Sequence, residues 1–395
     1  MSFIKAALIL LITAVLVPVV GASSTYPPAQ ITSMTSATAN PYLGGDIIIS
    51  ALDNQQYLPA VAYNSNHDEY LVVWYNQWAG NADIYAQRIS AKGKLLSWFN
   101  ITPTAPTTPY LNDRMAPSVA YDPDNDRYLV VWLYDIFNDG SDWDVHGVFV
   151  NWNGSYQSPW PFIICNLSTQ QDMPKVAYSP VEKEFMIVWM TAHPSLPAYI
   201  SGRRMNAATG VLSASDSDFT ISHATQARVR PEIAYNFSRN EYLVVYDNLQ
   251  DIYATRLTGK GAVLGGGEFP VAAWPGDETQ PSVAYCRQDD LYLVAWQNPQ
   301  PDIYARFVTA NGAVSAEVLH LDYTGVAEIS PSVACTAGGA LFLVTWQQQF
   351  SSLSGPFGIW GQFVNANKTL GEPFGIMAPQ SGVSAQFTSP VVTGG

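Results

Sequence analysis

Residues 59–89 read PAVAYNSNHDEYLVVWYNQWAGNADIYAQRI, and this stretch decides the fold. It contains three apolar runs, at residues 59–63, 70–74 and 83–89, which are separated by polar turns. The middle run carries large residues on both alternating faces, with Val72 and Trp74 on one face and Leu71 and Val73 on the other. A strand of this kind must be covered on both sides. The stretch therefore predicts a strand that is sandwiched between neighbouring sheets.

The pattern Pro-x-Val/Ile-Ala-Tyr recurs every 50 to 58 residues, and Cys335 replaces the tyrosine in the last copy. The six copies begin at Pro59, Pro117, Pro174, Pro231, Pro281 and Pro331. Each copy continues with a second run and with a third run whose fourth position is always Gly or Ala, which we interpret as room for a large ring of a neighbouring repeat. A Gly-containing turn and a weaker fourth strand follow. Repetition at this period predicts an all-β propeller of four-stranded antiparallel blades.

A parallel β-solenoid is the alternative, but its rungs are usually shorter, and closing a ring also removes exposed sheet edges. The two ends of the repeat region leave the number of blades open. Residues 44–49 resemble a fourth strand with no repeat before it, and residues 389–393 resemble a first strand with no repeat after it. We favour six blades with the two pieces paired where the ring closes; an incomplete seventh blade is the alternative.

The repeats resemble those of secreted bacterial and archaeal β-propeller proteins, which are loosely kelch-like or sialidase-like in architecture. The resemblance covers about residues 45–395 and rests on the Pro-x-Val-Ala-Tyr, Tyr-Leu-Val-Val-Trp and Asp-Ile-Tyr-Ala-x-Arg series. It implies the fold and an extracellular location. It implies no particular activity, because such propellers serve as binding platforms, adhesion modules and enzymes.

The N-terminus has the pattern of an export signal. Lys5 precedes an uncharged, largely apolar run at residues 6–20, and Val20 and Ala22 are the small residues expected before a cleavage site. We therefore predict a signal peptide at residues 1–22, a linker at 23–44 and the propeller at 45–395. An uncleaved N-terminal anchor is the alternative. No second apolar run of that length follows, so no membrane span is expected after the signal segment.

The formal net charge of −14 argues against two classes of partner. Nucleic-acid binding needs clustered Lys and Arg, and anionic lipid also attracts basic segments. The three cysteines, Cys165, Cys286 and Cys335, allow at most one pair, and we interpret them as small buried residues. Five sequons make the protein a candidate glycoprotein, with acceptors at Asn100, Asn153, Asn166, Asn236 and Asn367.

No familiar catalytic motif is present, and no cofactor or metal is expected. The Asp-box that marks sialidases is absent as well. The Asp that opens the third strand in four copies (Asp83, Asp144, Asp251, Asp302) recurs at one structural position, so we interpret it as structural. The Asp122, Asp124 and Asp126 series resembles a calcium loop but lacks the Gly and Glu that such a loop needs, and a hairpin turn is the better interpretation.

Function on a repeated scaffold is expected in the loops that differ between copies. The loops before the first strand and between the second and third strands share one face of a propeller. The candidate ligand-binding residues on it are Trp78, Arg114, Asp139, Asp142, Trp143, Arg228, Arg230, Glu278 and Glu328. We predict a non-catalytic extracellular or cell-surface protein that binds a glycan or a protein. The alternative is a glycoside hydrolase or polysaccharide lyase that uses acidic residues of this face.

Overall fold

The computed structural model describes residues 47–50, 55–78, 81–102, 113–135, 140, 142–156, 161–193, 195–213, 218–222, 225–300, 302–321, 326–336, 341–349, 357–377 and 390–393. In this part of the chain 24 strands form six antiparallel sheets of four strands each, and no helix is present. Each sheet takes its strands in chain order. The fold is a six-bladed β-propeller, which confirms the predicted fold class. No helix able to cross a membrane occurs among the residues just given.

The strand bounds follow the three runs of the repeat closely. Blades 1 to 3 consist of β1 (Gln55–Asn64), β2 (Glu69–Trp78), β3 (Asn81–Ser90), β4 (Leu95–Asn100); β5 (Arg114–Asp122), β6 (Arg127–Asp135), β7 (Trp143–Asn151), β8 (Phe162–Cys165); and β9 (Gln170–Ser179), β10 (Glu184–His193), β11 (Leu196–Asn206), β12 (Phe219–Ser222). Blades 4 to 6 consist of β13 (Val229–Asn236), β14 (Glu241–Asp247), β15 (Ile252–Thr258), β16 (Phe269–Ala272); β17 (Thr279–Cys286), β18 (Leu291–Gln297), β19 (Ile303–Thr309), β20 (Leu319–Leu321); and β21 (Glu328–Cys335), β22 (Leu341–Gln349), β23 (Phe357–Asn365), β24 (Phe374–Met377).

The first strand of each blade lies innermost. β1 contacts β5, and the same contact recurs between the first strands of every following pair of blades up to β17 and β21. The second strands are buried on both faces, as their sequence predicts: Val72 and Val73 are both 0% exposed. Leu71 and Val73 pack against Val130 and Trp132 of the next blade. The interface between blades 1 and 2 is therefore a continuous apolar core.

Every first strand carries a bulge that the sequence did not reveal. The residue before the repeat's proline has a positive φ, between 44° and 56°, in all six blades. These residues are Leu58, Ala116, Met173, Arg230, Gln280 and Ser330. The pairing with the second strand shifts register at the same place, for example between Met115 and Ser118. A bulge bends its strand and increases its local twist, so each first strand changes direction here.

The turn between the first and second strands is stabilised by side chains. The Tyr63 hydroxyl donates to Asp68 (2.9 Å), and Asp68 itself has φ 52°. In blade 2 the Asp122 carboxylate accepts the backbone N–H groups of Asp124 (3.0 Å) and Asn125 (3.2 Å). Asp122 thus closes its own turn, as the hairpin interpretation requires.

The small residue of the third strand makes room for a side chain from the fourth strand of its own blade. The prediction that it accommodates a large ring of a neighbouring blade was therefore wrong. A methyl group placed on Gly202 would lie 2.9 Å from the Ile221 side chain, and one on Gly147 would lie 2.9 Å from Ile164. Both isoleucines belong to the fourth strand of the same sheet. The third strand pairs with that strand, so its nearest large neighbours come from there.

Cys286 and Cys335 form a disulfide with a Cα–Cα distance of 5.3 Å, which corrects their interpretation as unpaired core residues. They lie in β17 and β21, so the bridge joins blades 5 and 6. Cys165 is a free, buried thiol, as the sequence predicts. Between blades 3 and 4, the residues equivalent to Cys286 and Cys335 are Ser179 and Tyr235. There the Tyr235 hydroxyl accepts a hydrogen bond from the Ser179 hydroxyl (3.2 Å). In blade 6 a covalent bond replaces that contact.

Candidate functional site

The face that carries the ends of the second strands and the starts of the first and third strands is called the upper face below. Its three predicted arginines are all held in ion pairs. Arg114 Nη1 lies 3.0 Å from Asp83 Oδ1, and its guanidinium covers the Tyr134 ring at 5.3 Å. This ion pair links β5 of blade 2 to β3 of blade 1.

Arg228 and Arg230 are bound in two-point ion pairs. Arg228 donates to both carboxylate oxygens of Glu268 (2.6 and 3.0 Å), and it is only 3% exposed. Arg230 donates to both oxygens of the fully buried Asp247 (2.7 and 2.6 Å). Both cations are thus already paired with a carboxylate.

The predicted carboxylates differ in their surroundings. Glu278 is 2% exposed, and its carboxylate accepts the backbone N–H of Trp274 (3.2 Å). Burial raises the pKa of Glu278, and Asp251 and Asp277 add to the shift. Glu328 is fully buried.

The other predicted site residues lie in blades 1 and 2. Trp143 is half-buried and packs against the core between blades 2 and 3. Asp142 is also half-buried and lies close enough to Asp144 to affect its titration. Trp78 ends β2, where it pairs with Asn81. The side chain of Trp78 and the whole of Asp139 lie outside the described residues.

Several acidic side chains lie near Arg114, at the junction of blades 1 and 2. Burial raises the pKa of Asp113, and Asp135 adds to the shift. Burial, together with Asp142, raises the pKa of Asp144 to about 6. Asp144 is 3% exposed, and its Oδ1 has no hydrogen-bond partner. A buried carboxyl group whose pKa is raised is a candidate for general acid catalysis.

His146, on the same strand as Asp144, stays neutral. Burial, with the charge of Arg114, lowers the pKa of His146 to about 4. Its ring contacts that of Tyr134 with a centroid distance of 4.7 Å. In the described part of the chain no group of three or more His, Cys, Asp or Glu side chains has a geometry able to hold a metal ion.

Trp274 is the exposed aromatic residue that sequence reasoning missed. It lies between β16 and β17, on the upper face, and is 37% exposed. Its ring meets those of Trp296 (5.9 Å) and Tyr304 (5.8 Å) edge to face. These contacts hold the indole in place while part of its surface remains open to solvent. The Trp-Pro-Gly series at residues 274–276 was the available signal, because it departs from the other copies at this point of the repeat.

The sequon asparagines occupy different environments. Asn153, Asn166 and Asn367 are exposed, whereas Asn100 is half-buried. Asn236 is 0% exposed, and its side-chain oxygen accepts backbone N–H groups of its own turn, so in the folded protein it cannot serve as a glycan acceptor.

Comparisons with known proteins support the fold. No family model matches the chain, and no curated protein sequence matches it. Among solved structures, it is similar to the α-L-arabinofuranosidase of Fusarium graminearum, with a TM-score of 0.56 and 12% identity over 79% of this chain and 93% of that chain. It is also similar to the NanB sialidase of Streptococcus pneumoniae (TM-score 0.54, 7% identity, 76% and 66% covered) and to an α-L-arabinanase of Penicillium chrysogenum (0.51, 10%, 74% and 88%). At these identities the likeness shows a shared propeller fold, in a set of structures that includes glycoside hydrolases.

Proposed function

We propose that this protein is an extracellular propeller that binds a carbohydrate on its upper face, at the junction of blades 4 and 5. The observation that carries the proposal is the partly exposed Trp274 ring, fixed by two aromatic neighbours beside the buried Glu278 carboxylate. Indole rings stack on the apolar faces of sugars, and nearby polar groups fix the orientation of the hydroxyl groups.

Three other features support this reading. The upper-face arginines Arg228 and Arg230 are neutralised, which disfavours a ligand recognised through its negative charge. The net charge of −14 disfavours nucleic acid and anionic membranes. The Cys286–Cys335 disulfide fits an oxidising compartment, in agreement with the export signal of the sequence.

Replacing Trp274 by alanine is expected to weaken glycan binding by about 10- to 100-fold, because a central aromatic anchor carries much of the energy of such a contact. The test is a glycan array followed by calorimetry on the oligosaccharide that binds best. Trp98→Ala is the matched control, because Trp98 is 59% exposed but lies on the outer strand of blade 1. Absence of binding to every glycan, or equal loss with Trp98→Ala, would contradict the proposal.

Glycoside hydrolysis is a second candidate, favoured by the raised pKa values of Asp113 and Asp144. Such hydrolysis normally needs two carboxyl groups, one of them protonated. If Asp144 acts as the acid, reducing-end release falls as pH rises above about 6, and Asp144→Asn abolishes it. Asp142→Asn removes a nearby carboxylate that raises this pKa, so it should move the alkaline limb of the pH profile to lower pH. Activity that is unchanged in Asp144→Asn would exclude this assignment.

A further inference from the structure

Contacts of two kinds recur at the interfaces between blades, an inner one at two interfaces and an outer one at four. At the inner end, Ser118 Oγ accepts the backbone N–H of Val176 (3.3 Å), and Ser282 Oγ accepts that of Val333 (3.1 Å). At the outer end, a glycine of one blade's hairpin lies against a phenylalanine in the fourth strand of the preceding blade, as Gly261 does with Phe219. These contacts show how a complete blade is covered by the next one.

The junction of blade 6 with blade 1, called the seam below, makes these contacts with the two ends of the repeat region. The Val392 N–H donates to Ser332 Oγ (3.2 Å), which repeats the inner contact. Val392 packs on Ala334 and Leu343 of blade 6, whereas Val391 joins the apolar cluster of blade 1. Residues 390–393 therefore hold the place of the first strand of a further blade.

Residues 47–50 hold the place of the fourth strand of that same blade. Ile47 lies against Gly93 of blade 1, the position at which other hairpin glycines meet a phenylalanine. Ile47 and Ile49 pack on the face of β2 that bears Val72. Ile48 is 50% exposed, like Ile163 at the equivalent position of β8 (49%). The first and fourth strand positions of this further blade are thus filled by the two segments that flank the repeat region.

The middle of the seam is less well covered than the other interfaces. The last two residues of β8, β12 and β16 are buried, whereas Ile376 and Met377 of β24 are partly exposed, as are Ile49 and Ser50. The other interfaces each have one apolar cluster that spans both blades. Among the described residues the seam instead has two separate clusters, one on blade 1 and one on blade 6.

We propose that the seam is a docking site for a β-hairpin supplied by another polypeptide, which takes the second and third strand positions between residues 390–393 and 47–50. The five complete interfaces define its chemistry. Its first strand would carry large apolar residues on both faces, and its second strand would carry a small residue opposite Ile49, where the repeat has Gly or Ala. The protein's own β2–β3 hairpin has this pattern.

The test adds a synthetic peptide with the sequence of residues 69–90 to the full chain. We expect saturable binding by fluorescence anisotropy and a higher Tm, because the peptide binds the folded state. The Val72→Asp, Val73→Asp version of the peptide is the negative control. Ile376→Asp in the protein should weaken binding by about tenfold or more, whereas Ile163→Asp, at an exposed position of β8 remote from the seam, should leave it unchanged.

Circular dichroism establishes that the Ile376→Asp protein is folded, and Met377→Ser provides a milder seam variant if it is not. Absence of saturable binding, or equal binding by the Ile376→Asp and wild-type proteins, would overturn the proposal. A concentration-dependent dimer that the peptide cannot disperse and that Ile376→Asp abolishes would also overturn it, because the occupant would then be a second copy of the chain.

Discussion

Replacing Arg230 by alanine is expected to lower the free energy of unfolding by about 3–5 kcal/mol, because it leaves a buried carboxylate without its counterion. Asp247 is 0% exposed and receives two hydrogen bonds from Arg230. Urea unfolding measures the loss. Arg239→Ala is the matched control: its pair with Asp290 is 43% and 38% exposed, so removing it should cost less than about 1 kcal/mol.

The loss in Arg230→Ala should depend on pH in a defined direction. Burial already raises the pKa of Asp247 with Arg230 present, and removing the cation raises it further. The folded variant then binds a proton that the unfolded chain releases above its ordinary pKa, so stability falls as pH rises through the folded pKa. The variant should therefore recover stability when the pH is lowered from neutral towards 4. A loss that does not change with pH, or equal losses in Arg230→Ala and Arg239→Ala, would contradict the assigned ion pair.

Removing the disulfide by Cys286→Ala and Cys335→Ala together is expected to cost about 2–4 kcal/mol. The two cysteines are 49 residues apart, and a bridge of that span restricts the unfolded chain substantially. Urea unfolding of the double variant checks this, with Cys165→Ala as the control for losing a buried thiol. Thiol titration of the denatured wild type should find one thiol; finding three would show that the bridge is not formed.

The sequence predicts the scaffold well because each strand can be recognised from the pattern of its own residues. The doubly apolar second strand, the four-stranded repeat and the turn closed by Asp122 all rest on local patterns, and the structure has them. The bulge at Leu58 and its equivalents was not predicted, because a residue before proline usually avoids a positive φ.

The candidate site was less predictable because it depends on partners far apart in the chain. In the sequence Arg228 has no obvious partner, because Glu268, with which it forms an ion pair, lies 40 residues away. Cys286 and Cys335 meet only because consecutive first strands lie side by side. Trp274 lies outside the repeat motif, so its support from Trp296 and Tyr304 appears only once the blades are assembled.

The most direct test of the account is a crystal structure of the protein with the oligosaccharide that binds most tightly on the array. We expect a sugar ring to lie parallel to the exposed face of Trp274, in contact at about 4 Å, with its hydroxyl groups directed towards the side of Glu278. A ligand bound elsewhere, with the Trp274 indole still open to solvent, would contradict it.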